Sequence, residues 1–274
     1  MLRKSLLVVS LVSVVATSAW AQTPPAAQEK PFEPTVGQSG KDVVWVPTPA
    51  EVVEKMLDMA KITPQDFVMD LGSGDGRNII AAAKRGANGL GVEFNPEMVE
   101  LSRRQAAAAG VADRAKFVEG DMYAADISKA TVLALFLLPH NLTKLTPKFL
   151  ELPPGTRIVG NTFAPEGWAA DESETVGGDC ASWCTSLLWI VPARVEGTWK
   201  LSDGQLTLKQ EFQMVSGTLT TAGKTTQVSG RLRGDLLTLS GGGSELAGRV
   251  TGDRIEGSAK GNGGGASWSA ERVK

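Results

Sequence analysis

The sequence predicts an α/β fold: a parallel, doubly wound sheet with helices on both faces, followed by a small antiparallel β meander. Three observations predict it. Short apolar strands alternate with segments of helical period between residues 43 and 192. A glycine-rich turn, Gly72-Ser73-Gly74-Asp75-Gly76, joins the first strand to a helix. After Pro192 the helical period disappears, and short segments follow one another across Gly/Asp turns.

The elements are expected in this order. Residues 1–21 have the pattern of a cleaved signal peptide, with Arg3 and Lys4 before an apolar Leu6–Ala16 and an Ala19-Trp20-Ala21 cleavage site. The apolar run is short for a membrane span, so no stable span is expected after cleavage and the chain is expected to be exported, periplasmic or extracellular. Residues 22–42, rich in Pro, Gln, Gly and Ser, are expected to be a flexible linker. Thr48-Pro49-Ala50-Glu51 has the form of a capping box opening a helix through Val52, Val53, Met56, Leu57 and Ala60. Strands are expected at Phe67–Leu71, Gly89–Glu93, Ala115–Glu119, Thr131–Leu137 and Thr156–Val159. Helices are expected at Arg77–Arg85, from Asn95-Pro96 to Gly110, and around Asn141–Leu150. The first domain so defined is 43–192 and the β-rich domain is 193–274. Its segments are Gly197–Trp199, Leu206–Met214, Gln227–Leu232, Leu236–Leu239, Gly248–Val250, Ile255–Ala259 and Ala266–Ala270, with Trp199 and Trp268 in its core.

Composition narrows the function. A net charge of −2 over 274 residues excludes a generally basic nucleic-acid binder. Cys180 and Cys184 are an even pair in an exported chain, which suggests a disulfide closing a small ring around Trp183. With only His140 and no further Cys, no metal site is expected.

The chemistry sits at three successive strand ends. The Asp70-Leu71-Gly72-Ser73-Gly74-Asp75-Gly76 turn lets a ligand lie against the backbone at a helix N-terminus. Its G-x-G-x-G spacing, and Asp75 inside it, disfavour a pyrophosphate and suit a ligand with cationic groups. Glu93 ends the second strand, where a carboxylate accepts from ribose hydroxyls, with Phe94 and Asn95 following. Asp121 and Met122 follow the third strand, placed to accept from an adenine amino group and to pack on its ring.

That ordered set resembles the class I S-adenosylmethionine (SAM)-dependent methyltransferases, with their Rossmann-like sheet. The longer strings Val46-Pro47-Thr48-Pro49, Asp70 to Arg77, Gly91-Val92-Glu93, Leu137-Leu138-Pro139 and Pro154 to Val159 are similar to the protein-lysine methyltransferase family with mitochondrial animal members. The resemblance covers roughly 44–168. It implies SAM as cofactor, its methionine part at Asp70–Gly76, its ribose at Glu93, its adenine at Asp121, and Thr48 near the same pocket. It also implies a methyl acceptor such as a protein lysine amine. The alternatives are an exported SAM- or nucleoside-binding protein without transfer, and an envelope-interaction module built on this scaffold. No catalytic residue is identified: Phe136-Leu137-Leu138-Pro139 stands where nucleobase and glutamine methylators carry Asn or Asp before Pro-Pro. His140, Tyr123 and an aromatic wall of Trp168 and Trp183 are candidates with ordinary structural explanations.

Overall fold

The computed structural model describes residues 31–178, 180–260 and 266–273. The expected signal peptide and the first part of the linker lie outside the described residues. The first domain is a seven-stranded sheet of β1 (Phe67–Leu71), β2 (Asn88–Glu93), β3 (Ala115–Glu119), β4 (Val132–Leu135), β5 (Arg157–Asn161), β6 (Glu172–Thr175) and β7 (Thr185–Ile190). Its spatial order is β3-β2-β1-β4-β5-β7-β6. The first five are parallel, and β7 runs antiparallel between β5 and β6.

Side-chain alternation along the strands sorts two cores. Val68, Val132, Ala134 and Val159 face α1 (Ala50–Met59), α2 (Arg77–Lys84) and α3 (Pro96–Ala108). Met69, Leu71, Leu133, Leu135 and Ile158 face α4 (Pro139–Phe149) through Leu142, Leu145 and Phe149. The β1/β4 junction, where the strand order reverses, is where such sheets open a crevice at their carboxyl ends.

Three local features differ from the sequence expectation. The Thr48 capping box does not form: α1 starts after Pro49, without a side-chain cap, and the Thr48 carbonyl instead accepts from Arg77 at 2.6 Å. The β6–β7 hairpin has no counterpart among the expected elements. Residues 38–46, which include the end of the expected linker, form a small hairpin with Ser39 bridged to Val44 and Trp45 N donating to the Gln38 carbonyl at 2.9 Å.

The meander closes into an eight-stranded barrel of β8 (Gly197–Leu201), β9 (Gly204–Glu211), β10 (Met214–Thr221), β11 (Lys224–Arg233), β12 (Leu236–Gly241), β13 (Ser244–Thr251), β14 (Arg254–Lys260) and β15 (Ala266–Arg272). Closure comes from β15 pairing β8, which removes the edges a meander would leave open. Leu206–Met214, expected as one segment, is β9 plus a tight turn at Phe212-Gln213 that leads into β10. The interior is filled by Trp199, Leu206, Leu208, Leu232, Leu237 and Ile255, whereas Trp268 is half-buried against it.

The barrel grips the first domain at the β5–β6 connection. Phe212 stacks on buried Trp168 at 5.4 Å between centroids, and Gln213 Nε2 donates to the Ala169 carbonyl at 2.8 Å. Arg231 pairs with Asp171, and Arg233 with Glu172.

Candidate active site

A cavity opens at the carboxyl ends of β1, β2 and β3. It is lined from the sheet side by Gly72, Gly74, Val92, Glu93, Phe94, Asn95, Gly120, Asp121, Met122 and Phe136, and from α3 by Met98. The 38–46 hairpin forms its outer wall. The enclosed space is about 80 Å³, well below the ~300–1,000 Å³ of ligand pockets in general. Trp45 explains part of that: a Cβ on Gly74 would lie 2.8 Å from its indole nitrogen. The hairpin is tied down at Lys41, whose Nζ lies 2.5 Å from Asp121 and 4.8 Å above the Phe94 ring centroid. That ion pair holds the Asp121 carboxyl below the usual carboxylate range.

The glycine turn makes the discriminating chemistry visible. Gly72, Gly74 and Gly76 all have positive φ, and Gly76 opens α2 in the left-handed region with a Cβ position 2.7 Å from Phe117. Four of the turn's five amides are already spent. Gly72 N and Ser73 N donate to the Val92 carbonyl at 2.8 and 3.1 Å, and Gly76 N donates to Ser73 O at 2.8 Å. Gly74 N donates to Glu93 at 2.9 Å. A phosphate cradle needs such N–H groups free. What remains unpartnered is a carboxyl oxygen and a hydroxyl: Asp70 Oδ1 and Ser73 Oγ are both buried without a hydrogen-bond partner. This donor-poor, acceptor-bearing turn fits a cofactor with cationic groups.

Seven of the sequence-identified residues line the cavity: Gly72, Gly74, Glu93, Phe94, Asn95, Asp121 and Met122. Five stand behind it. Asp70 is fully buried and holds Asn78 Nδ2 at 3.0 Å; burial, followed by the charges of Glu93 and Asp75, pushes its carboxyl up to about 8. Ser73 and Gly76 shape the turn. Asp75 is engaged by Arg77, with Nε at 2.9 Å and Nη2 at 2.5 Å, and the same guanidinium reaches Thr48 O. Thr48 is buried there. Glu93 spans two elements, accepting from Gly74 N and Asn95 N at 2.9 Å each.

Lys41, Trp45, Met98 and Phe136 also line the site. The only available signal for them was position: Phe136 directly follows β4, while the 38–46 segment carries no period at all. His140 is exposed at the start of α4 and Tyr123 accepts from Asn141 Nδ2 at 2.7 Å; neither lines the cavity.

The fold and this turn define a class I SAM-dependent methyltransferase. A profile for the ANTKMT methyltransferase domain matches residues 70–172. A protein-lysine N-methyltransferase of Saccharolobus islandicus is 44% identical over 133 residues, 47% of this chain and 83% of that protein. The adenine nucleotide translocase lysine N-methyltransferase of Mus musculus is 34% identical over 128 residues, 46% of this chain and 56% of that protein. Among solved structures, an RNA methyltransferase from Salinibacter ruber in complex with S-adenosyl-L-homocysteine is 43% identical, with a TM-score of 0.51, over 55% of this chain and 96% of that one. The chain belongs to this family of SAM-dependent methyltransferases, and SAM is its cofactor. It spans most of the Saccharolobus relative but only about half of the mouse one, and the profile ends before the barrel begins.

Proposed function

We propose that the protein transfers a methyl group to the ε-amine of a lysine in another protein. The observation that carries the methyl-transfer part of this reading is the cavity at three successive strand ends, lined by Gly72, Gly74, Glu93 and Asp121. Glu93 would accept from the ribose of SAM, Asp121 and Met122 would hold its adenine, and the Gly72–Gly74 backbone would hold its methionine part. Asp70, Ser73, Asp75, Gly76 and Thr48 hold that turn in shape from behind. Asp121 becomes available when Lys41 lets go, so cofactor entry requires the 38–46 hairpin to lift.

When bound, SAM supplies a methyl group on a sulfonium that leaves as a neutral thioether. The protein's part is to place the amine in line and to keep water out. Val92 and Met98 give the site an apolar wall beside the methyl group, and an apolar surround favours the neutral, nucleophilic form of a lysine amine. The lysine assignment rests on the relatives named for protein lysines. The Salinibacter relative points to RNA instead. The net charge of −2 and the absence of an Asn or Asp before Pro139 favour a protein acceptor. Membership in this family favours transfer over mere binding. Labelled-methyl transfer with lysine-bearing peptides and with RNA oligonucleotides tests the choice: label on lysine supports the reading, and label on RNA alone overturns it. We further propose that the protein works outside the cytoplasm. The leader pattern in residues 1–21 supports this, as does the Cys180–Cys184 disulfide. Recovery of the full leader on cytoplasmic protein would refute it.

A further inference from the structure

We infer that Trp183, carried on the disulfide loop, forms with Phe136 and Phe163 the aromatic binding wall for the acceptor's ammonium group. The inference rests on the lysine reading above. Phe136 follows β4 and lines the cofactor cavity. Phe163 follows β5 and stacks on it, with centroids 6.0 Å apart and an interplanar angle of 11°. Because β7 runs antiparallel to β5, with Asn161 opposite Ser186, the loop before β7 arrives at the same end of the sheet. Trp183 sits in that loop, its ring 6.1 Å from Phe136 and tilted by 59°. The three rings therefore run from the cofactor cavity out to solvent.

The local backbone is built to keep them there. Cys180 and Cys184 are disulfide-bonded on either side of Trp183. Trp183 and Thr162 both have left-handed φ, +55° and +61°, and Thr162 N donates to Thr185 O at 2.7 Å. Non-glycine residues persist in that region when their surroundings over-determine them, and such positions cluster at ligand sites. Trp183 is nevertheless 42% exposed, so burial is not what the constraint achieves. Trp168 is different: it is buried under Phe212 and cannot join the wall. Among the described residues, the two acids of β6 are already paired, Glu172 with Arg233 and Glu174 with Lys55. Ring faces attract an alkylated ammonium, tryptophan most strongly.

The test uses a trimethyl-lysine peptide and its uncharged isostere, carbon replacing the quaternary nitrogen, titrated into the S-adenosyl-homocysteine-loaded protein. The charged peptide should bind several-fold more tightly. Trp183→Ala should remove roughly three- to tenfold of that affinity, and Trp183→Phe should recover much of it. Binding of S-adenosyl-homocysteine should change less than twofold in both. The double variant Cys180→Ser/Cys184→Ser, which keeps the indole but frees the loop, should weaken the charged peptide alone. In transfer assays Trp183→Ala should raise KM for a lysine peptide more than it lowers kcat. Equal affinity for the charged and neutral peptides, or an unchanged KM in Trp183→Ala, overturns the inference. Absence of any transfer to lysine by the unaltered protein would instead sink the lysine reading.

Discussion

Asp70→Asn should abolish a pH dependence of stability that this protein carries because of its own cofactor turn. The Asp70 carboxyl is fully buried, has one partner in Asn78 and faces the charges of Glu93 and Asp75, so its pKa stands at about 8 against 3.8 for the free group. Between those two values the folded chain holds a proton that the unfolded chain has released. The contribution of Asp70 to stability is therefore complete below about pH 4 and declines as pH rises toward 8. At about 1.4 kcal/mol per pH unit, the loss by pH 7 is on the order of 4 kcal/mol. Asn keeps an acceptor for Asn78 and cannot ionise, so the variant should be more stable than the native chain at pH 7. Urea unfolding at pH 5, 6, 7 and 8 measures this. Parallel slopes for the two proteins across that range would refute the reasoning. A bound cation should reverse the effect by drawing the proton off, so SAM binding at pH 7 should release a proton in the native protein and none in the variant. Calorimetry in buffers of different ionisation enthalpy counts it.

Other consequences follow from the same geometry. Lys41→Ala removes the tie between the 38–46 hairpin and Asp121, and should speed SAM association a few-fold, with the native rate rising toward it as salt screens an exposed pair; stopped-flow rates that do not differ would show that the hairpin is not the gate. Gly74→Ala forces a left-handed alanine and drives a Cβ to within 2.8 Å of Trp45, so it should cost roughly 1–2 kcal/mol and most of the cofactor affinity. Unchanged SAM affinity there would contradict the packing of the turn. Phe212→Ala removes the ring stacked on Trp168 and should cost up to about 3 kcal/mol. Its unfolding should split into two transitions as the barrel loses its grip; a single transition at the native midpoint would rule that out.

Most of the parallel half of the sheet is legible in the sequence because β1, β4 and β5 are mostly buried and read as short apolar runs. The β6 strand is not, because Glu172–Thr175 is polar and lies at the sheet edge. The β9–β10 turn is hidden for another reason: a left-handed Phe212 occupies a position where Gly or Asn would have announced it. Barrel closure depends on β15 meeting β8, a pairing between distant segments that no local pattern records. In the site, the glycine spacing and the strand-end acids are readable from local chemistry. Asp75 reads as a ligand contact because its partner is invisible in the sequence: Arg77, two residues on, turns its guanidinium back onto it. Lys41 and Trp45 arrive through an irregular hairpin, where neither period nor propensity marks them.

The most direct test of the central claim is titration calorimetry of the protein with SAM and with S-adenosyl-homocysteine, beside Glu93→Ala and Asp121→Ala. The account predicts binding of both ligands by the native chain. Glu93→Ala should lose it, since that carboxylate also ties Gly74 N to Asn95 N, and Asp121→Ala should weaken it. Binding that survives both substitutions, or no binding of either ligand by the native chain, would contradict it.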